Sequence, residues 1–348
     1  MNIPEKDVYE FLSSAEFPIV IYGMGNGADK VIRQLELRGI KFCGIAASDD
    51  FVRGQQFHGY TVRTVSSLEE EYGRLILIIS FGTSLPEVME HIFSLAQRHK
   101  VLAVDVPVYG ENIWCRDFYE ENRDDIEGAY SLLCDDMSKR VYENVISFKL
   151  TGELSYLRSV FSRKDEAFEN ILRLGNDESY LDLGAYRGDT IDELLHYAGG
   201  YSYITALEPD RKTFYKLKAH VGDMKNVRLF RMGIWSEDAD IPFSDGEGRG
   251  SAAGGESMAA VTKIDTLYSV RRVSYIKMDV EGSERQAIIG GEKTIRRDRP
   301  KLNIAAYHRS EDIFSLPLQL SAIEPSYRIS LRQHPYIPAW DLNIYAVI

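Results

Sequence analysis

Cysteine is scarce in this chain, with three in 348 residues, at Cys43, Cys115 and Cys134. The number is odd and no CxxC spacing occurs, so neither a disulfide framework nor a thiolate zinc site is expected, and a reducing cytoplasm fits. Basic charge is short as well: 41 Lys and Arg stand against 53 Asp and Glu, a net charge of -12. Such a surface has no general attraction for phosphate backbones, which argues against nucleic acid as a partner. Long apolar runs are missing too. The run LILII at Leu75–Ile79 is far too short to span a bilayer, and MNIPEKDVYEFLSS has no basic region followed by an apolar stretch. Stable membrane insertion is therefore not expected, and a cytoplasmic location is.

What remains is a globular composition, 44% hydrophobic and 27% charged. At about one domain per 150 residues the length suggests two domains. FPIVIYGMGNGADKVIRQLELRG reads as a buried strand, a glycine turn and an amphipathic helix with Val31, Ile32, Leu35 and Leu37 near one face, ended by Gly39. KFCGIAAS, LILIIS and VLAVDVPV follow as strands, with a helix around Leu85 to His99. Alternation of strands and helices predicts a Rossmann-like parallel sheet over residues 1–110. Residues 111–176 are charge-rich, poor in glycine and helical in spacing, and read as a connector. From 177 to 348 the strand candidates are YLDL, YITALE, NVRLFRM, VSYIKMDV, KLNIAAYH, YRISLRQ and DLNIYAVI. The last two lack a convincing helix between them. A doubly wound α/β sheet ending in a β-hairpin is expected, the pattern of class I methyltransferases. Ser244 to Ser257, rich in Gly, Ser and Ala, reads as a mobile loop over the sheet edge.

In YLDLGAYRGDT, Gly184 and Gly188 bracket the turn between a strand and a helix that begins near Thr190. Glycine lets backbone approach a ligand, with Ala185 and Tyr186 between, and Asp182 near the strand end can accept from an ammonium group. Asp182 and Asp189 would repel a pyrophosphate, whereas the amino group and sulfonium of S-adenosylmethionine suit them. Glu208 and Pro209, in ALEPD at the next strand end, place a carboxylate where it can accept from ribose hydroxyls. Trp235 is a candidate flank for the adenine. IKMDVEG at a third strand end adds Asp279.

LDLGAYRGDT, ALEPD, TLY before VSYIKMDVEGSE, GGEKTIRRDRPKLNIAAYH and DLNIYAVI together resemble the FkbM-type methyltransferases across nearly all of Tyr180 to Ile348. The resemblance implies a class I enzyme that methylates oxygen, typically a hydroxyl of a sugar or polyketide-type product. It also implies an acceptor side formed by Asp279, Glu281 and His308, although no acid stands just before His308 as in many members. A hydroxyl acceptor needs its proton removed. His308 has the ordinary pKa of a general base, with Asp279 to orient it or to serve instead. Ser283 with Gln286 reads as a capping box. A divalent metal near Asp279 and Glu281 is an open alternative, but two carboxylates alone are weak support for one, and no metal ligand is assigned. The expected partner is a small-molecule or glycan acceptor.

The N-terminal turn Gly23-Met24-Gly25-Asn26-Gly27-Ala28, with Asp49 or Asp50 further on, matches a dinucleotide signature. It supports either a bound nucleotide or nucleotide-sugar, or a scaffold role. Two competing readings stand beside the methyltransferase: an NAD(P)-dependent sugar oxidoreductase or epimerase using that turn, and a non-catalytic module that binds S-adenosylmethionine. Two Rossmann units on an acidic chain are also compatible with a homodimer.

Overall fold

The computed structural model describes residues 1–244, 252–253 and 257–348. The first sheet contains β1 (Ile19–Tyr22), β2 (Gly44–Ala47), β3 (Gln56–Phe57), β4 (Tyr60–Thr64), β5 (Ile76–Ile79) and β6 (Lys100–Leu102) in the order β3-β4-β2-β1-β5-β6. All neighbours pair in parallel except β3 with β4. β1, β2 and β5 are continuous apolar runs buried on both faces, as expected where helices cover a parallel sheet. The β3–β4 hairpin was not foreseen in the sequence. VLAVDVPV contributes only Val101 and Leu102 to a strand. The helix Asn26–Leu37 buries Val31, Ile32 and Leu35, but Leu37 is 69% exposed, because its position turns away from the sheet.

Between the sheets run helices at Arg116–Glu121, Arg123–Leu132, Asp136–Thr151 and Leu154–Arg158, then a single wide turn at Ala167–Leu172. The longest of these, capped by Asp135, buries Val141, Val145, Ile146 and Phe148.

The second sheet contains β7 (Ser179–Leu183), β8 (Tyr203–Leu207) and β9 (Val227–Phe230). A small side sheet follows, made of β10 (Gly233–Ile234), β11 (Ala239–Ser244), β12 (Ala252–Ala253) and β13 (Ser257–Thr262). β14 (Tyr275–Met278), β15 (Lys301–Ala305), β16 (Arg328–Gln333) and β17 (Leu342–Val347) complete the second sheet in the order β16-β17-β15-β14-β7-β8-β9. β17 runs antiparallel to both β15 and β16, so the terminal hairpin inserts its last strand into the sheet. The loop expected over Ser244 to Ser257 is corrected in part: Ser244, Ala252, Ala253 and Ser257 belong to strands, and the rest lies outside the described residues. One buried apolar cluster joins Leu77 and Val101 of the first sheet, Val145 of the helices and Leu183, Ile276 and Ile344 of the second. Among the described residues no helix is long and apolar enough to cross a membrane.

Candidate active site

β7 delivers the glycine turn to the carboxyl edge of the second sheet. Gly184 has φ 82°, and a Cβ there would meet the Asp279 carbonyl oxygen at 1.9 Å, so only glycine lets the ends of β7 and β14 come together. The Gly184 and Ala185 N–H groups donate to the Leu207 carbonyl, which locks the turn to β8. Gly188, with φ 95°, precedes the helix Asp189–Ala198, one residue earlier than the Thr190 start read from the sequence.

These elements open onto a cavity of about 450 Å³, within the usual range for a small-molecule site. Gly184, Tyr186, Asp189 and Thr190 line it from the β7 turn, Glu208 and Pro209 from β8, and Trp235 from the segment after β9. Asp279 and Glu281 close the far side. Asp182, Ala185 and Gly188 lie behind this lining. Asp182 is wholly buried, accepts from the Thr190 hydroxyl and keeps its Oδ1 without a partner. In this geometry it braces Thr190, which itself lines the cavity. Burial pushes Asp182 up to about 6 against the pull of Lys277.

Glu208 is organised by backbone: its carboxylate accepts from Tyr186 N–H at 3.1 Å and from Asp210 N–H at 2.8 Å. Burial nonetheless pushes its pKa up to about 7. Lys277, unremarked in the sequence, lines the cavity with its Nζ 3.3 Å from Asp279. Burial works against the Asp279 charge, but Lys277 and His308 overcome it and hold the carboxyl down to about 2.

The base role expected of His308 is not what the geometry offers. His308 is 1% exposed and is not among the residues that line the cavity. Its Nδ1 lies 2.8 Å from Glu284, and its Nε2 faces Asp279 and Glu281 at 3.4 and 3.5 Å. Burial disfavours the imidazolium, but Glu284, Asp279 and Glu281 outweigh it and push the pKa up to about 10. The three carboxylates favour the charged form of the ring, which has no lone pair to take up a proton. Glu281, with φ 53°, does face the cavity, and burial pushes it up to about 7. The capping box is corrected as well. Ser283 makes no side-chain bond to the helix Glu284–Gly290, and the Glu284 carboxylate instead accepts from Val280 N–H at 2.9 Å.

Other cavity residues come from places with no sequence signal. Tyr336 and Trp340, in the turn between β16 and β17, line it together with Ser84, from the loop after β5. That loop pairs with the turn through Thr83 N–H to the Ile337 carbonyl at 2.8 Å and the reciprocal bond at 2.9 Å. A Cβ on Gly82 would stand 2.5 Å from the Trp340 ring. Tyr109 donates its N–H to the His308 carbonyl at 2.9 Å and packs on Gly282.

With this geometry in place, residues 182–331 match the sequence profile described as the Methyltransferase FkbM domain. Over those residues the chain is similar to the FkbM methyltransferase domain. The crystal structure of Methyltransferase FkbM from Methylobacillus flagellatus KT superposes with a TM-score of 0.74 at 22% identity, covering 99% of this chain and 94% of that one. The α/β fold is thus shared along the whole chain, including the first sheet that precedes the FkbM domain. Weaker likenesses are to the fibrillarin of Aeropyrum pernix, in complex with S-adenosyl-L-methionine, and to an rRNA methylase from Streptococcus thermophilus. Both have TM-scores of 0.34, at 16% and 13% identity, covering 52% and 53% of this chain and 71% and 93% of theirs. No curated protein matches the chain.

Proposed function

We propose that this protein is an S-adenosylmethionine-dependent O-methyltransferase acting on a hydroxyl of a sugar, a glycan or its nucleotide-linked precursor. The catalytic unit is residues 177–348, with 1–110 as an N-terminal unit and 111–176 as a connector. One observation carries the reading: the ribose-type carboxylate Glu208 and the pair Asp279 and Glu281 face one cavity from opposite sides. The fit to S-adenosylmethionine rests on charge. Both lysines that line the cavity are matched by acids, Lys277 by Asp279 and Lys164 by Glu193 at 2.9 Å. Among the described residues a pyrophosphate finds no uncompensated lysine there, whereas a sulfonium and an ammonium find carboxylates.

Glu208 would accept from the ribose hydroxyls, the Gly184 turn would admit the amino acid end, and Trp235 would flank the adenine. S-adenosylmethionine supplies a methyl group already activated by its sulfonium. The protein's share is then alignment, exclusion of water and removal of the acceptor proton. Asp279 and Glu281 are the carboxylates within reach of an acceptor in the cavity, and His308 holds them in place. Tyr336 and Trp340 offer ring faces, and Asn343 an amide, on the acceptor side, a chemistry suited to a sugar ring.

Calorimetric titration of the full chain with S-adenosylhomocysteine tests the donor site, and absence of saturable binding would sink it. Single-turnover methyl transfer to nucleotide-linked sugars tests the acceptor class. Glu281→Gln should lower that rate by about 10²-fold while donor affinity stays within about threefold.

A further inference from the structure

Beneath the cavity floor four carboxyl groups, Asp279, Glu281, Glu284 and Asp312, gather around one imidazole. His308 is 1% exposed, Glu284 0% and Asp312 2%. Asp279, Glu284 and His308 bring one donor atom each within 4.8 Å of one another. The two sides of the ring differ. At Nδ1 the contact to Glu284 is an ordinary hydrogen bond of 2.8 Å. At Nε2 the distances of 3.4 Å to Asp279 Oδ1 and 3.5 Å to Glu281 Oε2 exceed the ~2.7–2.9 Å of a charge-assisted hydrogen bond. They approach the ~3.0–3.4 Å that separates neighbouring ligands around a cation with bonds of about 2.1–2.4 Å.

A second feature points the same way: the other Glu284 oxygen, Oε2, is fully buried and has no hydrogen-bond partner among the described residues. A wholly buried carboxylate set against a histidine whose far nitrogen faces two more carboxylates is the arrangement that orients metal-binding imidazoles. Among the described residues, Lys277 is the lysine paired with this group of acids, at Asp279 Oδ2.

We propose that Asp279, Glu281 and His308 Nε2 bind a divalent cation, with Glu284 fixing the imidazole through Nδ1. Two carboxylates and one imidazole select a cation of intermediate hardness, Mn²⁺ before Mg²⁺. The ring coordinates as neutral imidazole, so binding releases one proton to solvent. The remaining positions face the cavity through Asp279 and Glu281, where a hydroxyl oxygen can approach. The site shares Asp279 and Glu281 with the proposed acceptor side, but its test does not depend on that reading, because the metal alone is its ligand.

The test is titration of the EDTA-treated full chain with MnCl₂ at about pH 8, read by electron paramagnetic resonance. One Mn²⁺ per chain is expected, with a Kd below about 100 µM. Pulsed measurements should show coupling to a single imidazole nitrogen. His308→Gln and Asp279→Asn should weaken binding tenfold or more, and Glu284→Gln about tenfold, the usual effect of losing a carboxylate behind a metal-bound histidine. No saturable binding up to about 5 mM, or bound Mn²⁺ without nitrogen coupling, overturns the site. The nitrogen signal is read on the wild-type protein, so a variant that fails to fold does not blur the result. S-adenosylhomocysteine titration of the same sample reports separately on the donor site.

Discussion

The chain presents the same device twice, a buried parallel strand, a glycine turn and a helix, once at β1 and once at β7. In both the glycine solves a packing problem. A Cβ on Gly27 would stand 2.2 Å from the Ser80 carbonyl oxygen, as one on Gly184 would stand 1.9 Å from that of Asp279. What differs lies at the end of the neighbouring strand. After β2, Asp49 and Asp50 sit exposed in a short turn, and the Gln55 amide reaches across to the Met24 sulfur. After β8, Glu208 is 7% exposed and held by two backbone N–H groups over a cavity. The glycine turn is thus a way to bring a helix onto a strand. The two turns differ in the acid at the next strand end, exposed at Asp49 and Asp50 and held over a cavity at Glu208.

Substituting each turn gives the largest expected effects. Gly184→Ala forces a collision at a positive φ, so urea unfolding should show a loss of about 2–4 kcal/mol together with loss of S-adenosylhomocysteine binding. Gly27→Ala should lose stability by a similar mechanism yet leave that affinity unchanged. If Gly27→Ala also abolished binding, the two turns would not be functionally separate.

Next in size is Glu208→Ala, which removes charge-assisted contacts worth about 1.5–3 kcal/mol, or tenfold or more in S-adenosylhomocysteine affinity by calorimetry. An unchanged affinity in a folded variant removes Glu208 from the donor site.

A pH series sharpens the point. Burial raises the Glu208 pKa to about 7, so part of the population is protonated near neutrality. The ionised form is the better acceptor for ribose hydroxyls. Affinity should therefore rise with pH through about 7, by roughly tenfold between about pH 6 and about pH 8, and level off above. Glu208→Gln should flatten the curve, and a slope that survives the substitution assigns the titration to another group.

The smallest effect is expected at the other strand end. Replacing Asp49 and Asp50 together by Ala should change stability by no more than about 0.5 kcal/mol, because both side chains are exposed, and should leave donor affinity unaltered. A clear loss of affinity would place the first sheet in the donor site.

Sequence and structure agree best where the signal is local. β1, β2, β5, β7, β8 and β14 stand close to where apolar runs bounded by glycine and acid put them, because the strand, the turn and the start of the helix all lie within a dozen residues. They part where position depends on distant chain. The hairpin turn carrying Tyr336 and Trp340 reads as ordinary polar loop until Thr83 pairs with Ile337 across the molecule. Glu284 passes for the first residue of a helix, and Leu37 for a member of an apolar face, until burial is known.

The sequence by itself determined the α/β architecture, the hairpin ending and four of the acids that line the cavity, Asp189, Glu208, Asp279 and Glu281, but not Glu193 or Asp341. Periodicity, turn chemistry and strand-end motifs are properties of short segments. Only the tertiary structure decided the surroundings of His308, the closing of the cavity by Ser84 and the β16–β17 turn, and the gathering of acids beneath it. Those depend on desolvation and on Coulomb forces between groups far apart in the chain. A histidine's pKa of about 10 arises from burial set against three carboxylates, and no window of sequence shows how close they stand.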